Sequence, residues 1–368
     1  MNDSAKNINQ NSSPDNEASG ILPCQALLQM FEHTGELRAE QPLAEDQIQP
    51  ASIDLRLGAK AYRVRASFLP GERSSVTDKL KHFAMHEMDI SEGAVLEKGC
   101  VYIVPLMESL ALPSGVSAAG NPKSSTGRVD VFTRLITDHG SEFDRVREGY
   151  HGPLYAEIAP RTFSILVRKG SRLSQLRIRR GGEVQPEITR LADGEMGNGR
   201  VIPISVDVQG DADAGLIGYR AKAHAGLIDI DQKQHCRISD YWEPVYTQGE
   251  HGLILDPGEF YILASKEAVS IPPDYAAEMI AYDTLVGEFR VHYAGFFDPG
   301  FGHGDGQAAR AVLEVRSYEV PFVLEHGQTV GRLIYEKLTA HPDKLYGGGA
   351  LDSSYHRQGL ALSKHFIR

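Results

Sequence analysis

The chain has 368 residues, 41% of them hydrophobic and 24% charged, with a formal net charge of −11. That length and apolar content exclude a wholly disordered chain and point to two domains of ordinary size. The acidic balance argues against a nucleic-acid partner, and the absence of any apolar run near ~18 residues argues against a membrane span.

Residues 1–20 are rich in Asn, Ser, Asp and Glu and contain no apolar core of a secretory signal, so they read as a disordered tail. Order is expected from Ile21. Leu27, Met30 and Phe31 lie at helical spacing and Gly35 follows, which predicts a short N-terminal helix. Beyond it, short apolar runs alternate with Gly, Pro, Asp and Asn. Ile53–Leu57, Val101–Val104, Phe163–Val167 and Phe260–Leu263 are the clearest, and strands at such spacing predict a mainly β sandwich or barrel. The three cysteines, Cys24, Cys100 and Cys236, are far apart and form no paired motif. A sparse, odd set suits a reducing cytoplasm and offers no thiolate pair for zinc.

Self-similarity organises the chain. Leu96-Glu97-Lys98-Gly99-Cys100-Val101-Tyr102-Ile103 matches Leu255-Asp256-Pro257-Gly258-Glu259-Phe260-Tyr261-Ile262 at an offset of 159 residues, which also carries Pro113 onto Pro272. Leu154-Tyr155-Ala156-Glu157 then aligns with Ala311-Val312-Leu313-Glu314 at an offset of 157, as does Gly170 with Gly327. Blocks repeating in the same order indicate a duplicated domain. The expected division is 21–190 and 191–368, with the seam in the turn-rich stretch between Gly181 and Gly215.

Candidate chemistry is spread over both repeats. Lys123-Ser124-Ser125-Thr126-Gly127-Arg128 reads either as a surface turn or as a phosphate-gripping segment with hydroxyls, backbone donors and a guanidinium. Asp298-Pro299-Gly300-Phe301 is a turn signal that also suits holding a sugar or base. Glu314 sits inside an apolar strand. It is either solvent-facing or buried with a raised pKa fit for general acid–base work. Tyr346-Gly347-Gly348-Gly349 and Tyr355-His356-Arg357-Gln358 read as a fraying end or as a hinged lid. The loop Asp138-His139…Glu142…Asp144 reads as solvated rather than metal-binding, and Gly302–Gly306 offers only one His and one Asp.

In combination these segments resemble the dCTP deaminase branch of the dUTPase-like superfamily. The resemblance rests on Ile48–Gly58 after the short helix, Ser124-Ser125-x-x-Arg128, Ala294-x-x-x-Asp298-Pro299-Gly300-Phe301, the strand with Glu314, and the closing Tyr346…Tyr355-x-x-Gln358. It covers nearly the whole chain and implies duplicated β-clip domains. The implied activity is hydrolytic deamination of dCTP to dUTP and ammonia, cleaving a cyclic amidine C–N bond in the supply of dUMP and dTTP. Also implied are Mg²⁺ on the triphosphate, no zinc, dTTP as a feedback inhibitor, and a homo-oligomer with a trimer favoured.

The repeats look complementary. Repeat one keeps Ser124, Ser125 and Arg128 but reads Arg147-Glu148-Gly149-Tyr150 where Asp-Pro-Gly-aromatic is expected. Repeat two keeps Asp298 and Glu314 but reads Asp283-Thr284-Leu285-Val286-Gly287 at the Ser/Arg position. A composite completes one site. Within the resemblance, Glu314, Arg128 and Ser124 are the catalytic candidates, and Glu157 is the rival base. The expected substrate contacts are Lys123, Ser125, Ala294, Asp298, Phe301, Tyr346, Tyr355 and Gln358. Ser354 stands where the family pattern commonly has a tail lysine. The competing functions are a dUTP pyrophosphatase, a bifunctional enzyme making dUMP, and a non-catalytic nucleotide sensor.

Overall fold

The computed structural model describes residues 18–183, 198–210, 215–281, 289–292, 295–303, 309–347 and 359–367. The predicted first helix forms over Cys24–Gln29 and widens into a π-type turn, Met30–Thr34, before Gly35 ends it in the left-handed region (φ 66°). Leu27 and Met30 are buried beneath it, which is the apolar face that their spacing implies.

Each repeat has two mainly antiparallel strand layers whose main strands follow the same order, and in repeat two the pairing of Val201–Asp207 with Phe260–Val269 joins the layers into one nine-stranded sheet. In repeat one the first sheet runs Arg145–Val146, Val116–Pro122, Arg172–Arg180, Ser52–Arg56, and repeat two orders Phe296–Phe297, Tyr275–Ala281, Thr329–Lys337, Val201–Asp207 in the same way. The second sheet runs Val131–Thr137, His151–Pro160, Val101–Ala111, Lys60–Val64, Ala84–Asp89. Its counterpart is Phe289–His292, Ala309–Ser317, Phe260–Val269, Leu216–Ala221, Trp242–Tyr246. Even the small ladder of Ala94–Leu96 with Ile165–Val167 recurs as Leu253–Leu255 with Phe322–Leu324. The architecture is mainly β and duplicated, as the internal repeat predicts.

Strand alternation decides what faces where. In repeat two, Tyr261, Leu263 and Leu313 point into that repeat's own core, whereas Phe260, Ile262 and Val312 join the core shared with repeat one. In repeat one, Tyr102, Val104 and Ala156 point inward, while Ile103 and Tyr155 point outward. That outward face is closed by the helix Val76–Phe83, whose Val76 and Leu80 pack there with Phe68. Ser75 caps the helix reciprocally with Asp78, and the Asp138 carboxylate accepts a hydrogen bond from the Val76 amide at 2.7 Å. The Asp144 carboxylate likewise accepts from the Leu135 amide at 2.7 Å, so two of the loop's carboxylates serve the fold.

The repeats are tied by strands and by an apolar seam. Ile228–Asp229, from repeat two, adds as a parallel third strand to Ile165–Val167 of repeat one. Arg168 reinforces that edge with two hydrogen bonds to Asp229, at 2.8 and 2.9 Å. Trp242, the single tryptophan, is buried against Phe163, Phe260 and Phe366 with ring centroids 5.6–6.0 Å apart. Large aromatics at full burial dominate such an interface, at roughly 1.5–3 kcal/mol each. On the other side the strand Gly20–Ile21 pairs with Arg172–Arg180 and bridges to Leu338. A Cβ at Gly20 would lie 2.4 Å from the Lys337 carbonyl oxygen, so that close approach requires glycine. All three cysteines are free, and among the described residues no helix is long and apolar enough to cross a membrane.

Candidate active site

A cavity of about 470 Å³ opens between the repeats. Repeat one contributes the short helix Ser124–Gly127, which follows the strand Val116–Pro122 and presents Lys123, Ser124, Ser125 and Arg128 to the cavity. Repeat two contributes Asp298, Phe301, Val312, Glu314 and Tyr346. The two half-sets expected from the sequence therefore meet within one chain. Of the remaining predicted contacts, Ala294, Tyr355 and Gln358 lie outside the described residues, as do Ser354 and Asp283–Gly287.

Glu314 lies on the strand Ala309–Ser317, opposite Ile262 in the register, and so shares the outward face that meets repeat one. It is 4% exposed, and its carboxylate stands 3.9 Å from the Arg128 Nε. Burial pushes its pKa up to about 8, with the Arg128 charge acting in the opposite direction. Arg128 is itself 7% exposed and donates from Nη1 to the Ala361 carbonyl at 3.2 Å. A buried carboxyl beside a fixed guanidinium, open to a cavity, can exchange a proton with a bound molecule near neutral pH.

Asp298 is held by a residue that the sequence reading missed. Arg177, on the repeat-one strand Arg172–Arg180, reaches across the seam to the Asp298 carboxylate at 3.2 Å. It also donates to the carbonyls of Ala277 at 3.0 Å and Phe297 at 3.3 Å, and its guanidinium lies 4.0 Å from the Phe296 ring centroid. Burial raises the Asp298 pKa, opposed by Arg177. The Asp-Pro-Gly turn closes with a hydrogen bond from the Phe301 amide to the Asp298 carbonyl at 3.1 Å. Gly300 is left-handed (φ 90°), and a Cβ there would meet the backbone nitrogen of Tyr346 at 3.2 Å. Tyr346 docks on this turn, its amide donating to Pro299 at 2.8 Å and its ring 5.4 Å from that of Phe301.

The other end of the cavity is rich in cations. Lys123 is ion-paired with Asp54, and Arg172 lies 2.8 Å from Asp46 and 3.6 Å from Asp54. Lys233 and Lys364 line the same end. Neither was singled out in the sequence, because each reaches the cavity only through distant chain contacts.

Glu157, the rival base, sits on the matching face of repeat one but in a different setting. Arg134 donates to its Oε1 from Nη2 at 2.5 Å and from Nε at 3.1 Å. The same guanidinium lies 3.4 Å from the centroid of Phe143 and 4.8 Å from that of Phe132. Glu157 is thus sealed by its own repeat and does not line the composite cavity.

Two matching β repeats with a polar cavity lined by both define the class, a duplicated, mainly β protein. The chain belongs to the 2′-deoxycytidine 5′-triphosphate deaminase family. Residues 18–182 match the 2′-deoxycytidine 5′-triphosphate deaminase (DCD) N-terminal domain, and residues 179–366 match its C-terminal domain. A crystal structure of 2′-deoxycytidine 5′-triphosphate deaminase from Agrobacterium tumefaciens is 57% identical, with a TM-score of 0.83 over 89% of this chain and 100% of that one. Among curated relatives, the "dCTP deaminase, dUMP-forming" of Kocuria rhizophila is 33% identical over 43% of this chain and 77% of its own. The protein of the same name from Beutenbergia cavernae is 30% identical over 47% of this chain and 91% of its own.

Proposed function

We propose that this chain deaminates dCTP hydrolytically to dUTP and ammonia in the inter-repeat cavity, with Glu314 moving the protons. The observation that carries the reading is the single cavity in which Ser124 and Arg128 of repeat one face Asp298 and Glu314 of repeat two. In this reading a water adds its oxygen to C4 of the cytosine ring. Glu314 takes a proton from that water and passes it to N3; it then carries the remaining hydroxyl proton to the amino group, so that the C4–N bond breaks with release of ammonia as the C4 carbonyl forms. Arg128 and Ser124 orient the water and stabilise the charge that develops on the ring. Asp298, on the turn that Arg177 holds, is assigned to the deoxyribose 3′-hydroxyl. Phe301 and Tyr346 are assigned to the sugar side. Ser125 and Lys123, with Tyr355 and Gln358, are assigned to the triphosphate, and the Ala294 backbone to the base edge.

Magnesium enters as a companion of the triphosphate, where it neutralises phosphate charge. The donor set at the phosphate end, Lys123, Arg172, Lys233 and Lys364, suits direct contact with phosphate oxygens. Among the described residues no group of three His, Cys, Asp or Glu could hold a metal ion. The reading includes a homo-oligomer. Val323 and Ile254 are 49% and 51% exposed on the ladder Leu253–Leu255 with Phe322–Leu324, whose repeat-one counterpart is extended at its edge by Ile228–Asp229. It also includes a cytoplasmic setting, which three free cysteines suit.

A second reading has a specific observation behind it. The curated relatives are named for forming dUMP, so the same cavity is a candidate for cleaving the dUTP it makes. Incubation of the protein with dCTP and Mg²⁺, resolving ammonia, dUTP and dUMP, separates the two. Ammonia with dUTP supports the first reading and ammonia with dUMP the second. Absence of ammonia contradicts both.

A further inference from the structure

We propose that Asp130 and Arg316 are a positioning pair for the site, a buried ion pair across the seam that seats Glu314 beside Arg128 and fixes the charge around it. This rests on the reading of Glu314 as the group that moves protons on dCTP. Arg316 lies two positions after Glu314 on the strand Ala309–Ser317, so both side chains leave the same face of that strand, toward repeat one. On repeat one, Asp130 lies two positions after Arg128, in a turn that its amide closes onto the Gly127 carbonyl at 2.9 Å. Arg316 donates to the Asp130 carboxylate and to the Gly258 carbonyl, and its Nη2 lies 2.8 Å from the Thr162 hydroxyl. Thr162 in turn donates to the same Asp130 oxygen at 2.5 Å. The Asp130 and Arg316 side chains are 2% and 14% exposed, and the guanidinium lies 5.8 Å from the ring centroid of Phe260.

Two ion pairs of opposite polarity therefore cross the seam side by side. Arg128 faces Glu314 at 3.9 Å and is open to the cavity, whereas Asp130 meets Arg316 in direct contact, flanked by Thr162 and Phe260. The closed pair holds the geometry, and the open one stays loose enough to trade a proton with a bound molecule. Asp130 adopts the left-handed region (φ 54°), which Asp and Asn tolerate better than most side chains. Repeat one lacks the pair at its own glutamate, because Ala159 stands two positions after Glu157. The pair thus belongs to the composite site and not to the fold that both repeats share. Burial is the main cause of the raised Glu314 pKa; Arg128 opposes it and Asp130 adds to it. Arg316 limits that last effect by countering the Asp130 charge. On the flanking strands, Ile262 stands opposite Glu314 on one side and His292 on the other.

The test uses the full chain with Asp130→Asn, Arg316→Gln, Arg316→Lys and the double variant Asp130→Asn/Arg316→Gln, with Tm measured for each. Asparagine keeps the turn conformation and an acceptor for Arg316 while removing the charge. Arg316→Gln is expected to lower kcat for dCTP about tenfold with KM changed less than about threefold, and Arg316→Lys to restore most of it. The pH profile separates this role from a structural contact. Arg316→Gln leaves the Asp130 charge less opposed and should move the acid limb of kcat/KM up by about half a pH unit or more. Asp130→Asn keeps the Arg316 charge without its counter-charge and should move the limb down by a similar amount, and the double variant should return it close to wild type. Titration of the Glu314 carboxyl by NMR of ¹³C-glutamate-labelled chains, identified by its loss in Glu314→Gln, reads the same shifts without turnover. Shifts of the same sign in both single variants, or no shift in either, would overturn the proposal while leaving deamination standing. So would a fall in kcat and Tm that lysine fails to rescue, which marks a purely structural role. A wild-type chain that releases no ammonia from dCTP, with the Glu314 titration still shifting as expected in the variants, would instead defeat the deaminase reading and leave the pair standing.

Discussion

Two glutamates at matching positions have different chemistry because their neighbours differ. Glu314 faces a cavity and a guanidinium 3.9 Å away, whereas Glu157 is bonded by Arg134 and stoppered by Phe143. Glu314→Gln is therefore expected to lower kcat by at least about a thousandfold with KM for dCTP little changed. Glu157→Gln should keep turnover within about threefold, and a steady-state assay of both variants checks the pair. The raised pKa of Glu314 also sets a pH dependence. Its base form is the minor one at pH 7, so kcat/KM should climb about tenfold per pH unit and level near pH 8. The stability consequence has the opposite slope. The folded pKa, about 8, exceeds the ordinary 4.5, so the folded state holds the extra proton between those values. Stability present at pH 4 is lost as pH rises through that window, at up to about 1.4 kcal/mol per unit. Glu314→Gln removes the penalty and should raise Tm at pH 8 but not at pH 4. An unchanged Tm difference across that range would count against a buried, cavity-facing carboxyl.

At the level of elements, the helix Val76–Phe83 explains why repeat one offers no second site of the same kind. It covers the outward face of the sheet that carries Glu157, the face that in repeat two meets its neighbour. Leu80, 8% exposed, anchors it. Leu80→Ala is expected to cost about 2–3 kcal/mol of stability while leaving kcat for dCTP unchanged, as read by urea unfolding and steady-state assay. This helix was legible in part. Ser75-Val76-Thr77-Asp78 carries a capping signature, yet the strand-like spacing around it hid the element. The short N-terminal helix was easier, because Leu27, Met30 and Gly35 supply both face and stop. The strands were legible for a similar reason, since short apolar runs bounded by Gly, Pro, Asp and Asn are local signals.

For the whole molecule, duplication is what makes the site. The repeat was visible at offsets of 159 and 157 residues, and complementary losses already implied a shared site. Long-range contacts were not visible. Arg177 holds Asp298 from 121 positions away, and Ser363 reaches Ser125 across 238. Contacts of that separation leave no periodic trace in a single sequence, so Arg177, Lys233 and Lys364 emerge only from the fold. The central claim is that one chain, using both repeats, completes one deaminating site. The most direct measurement co-expresses and co-purifies Arg128→Ala chains with Glu314→Gln chains and follows ammonia released from dCTP. The account predicts turnover no higher than either variant alone, because every mixed assembly lacks a chain with both halves intact. Recovery of turnover in the mixture would contradict it, placing the two halves of the working site on different chains.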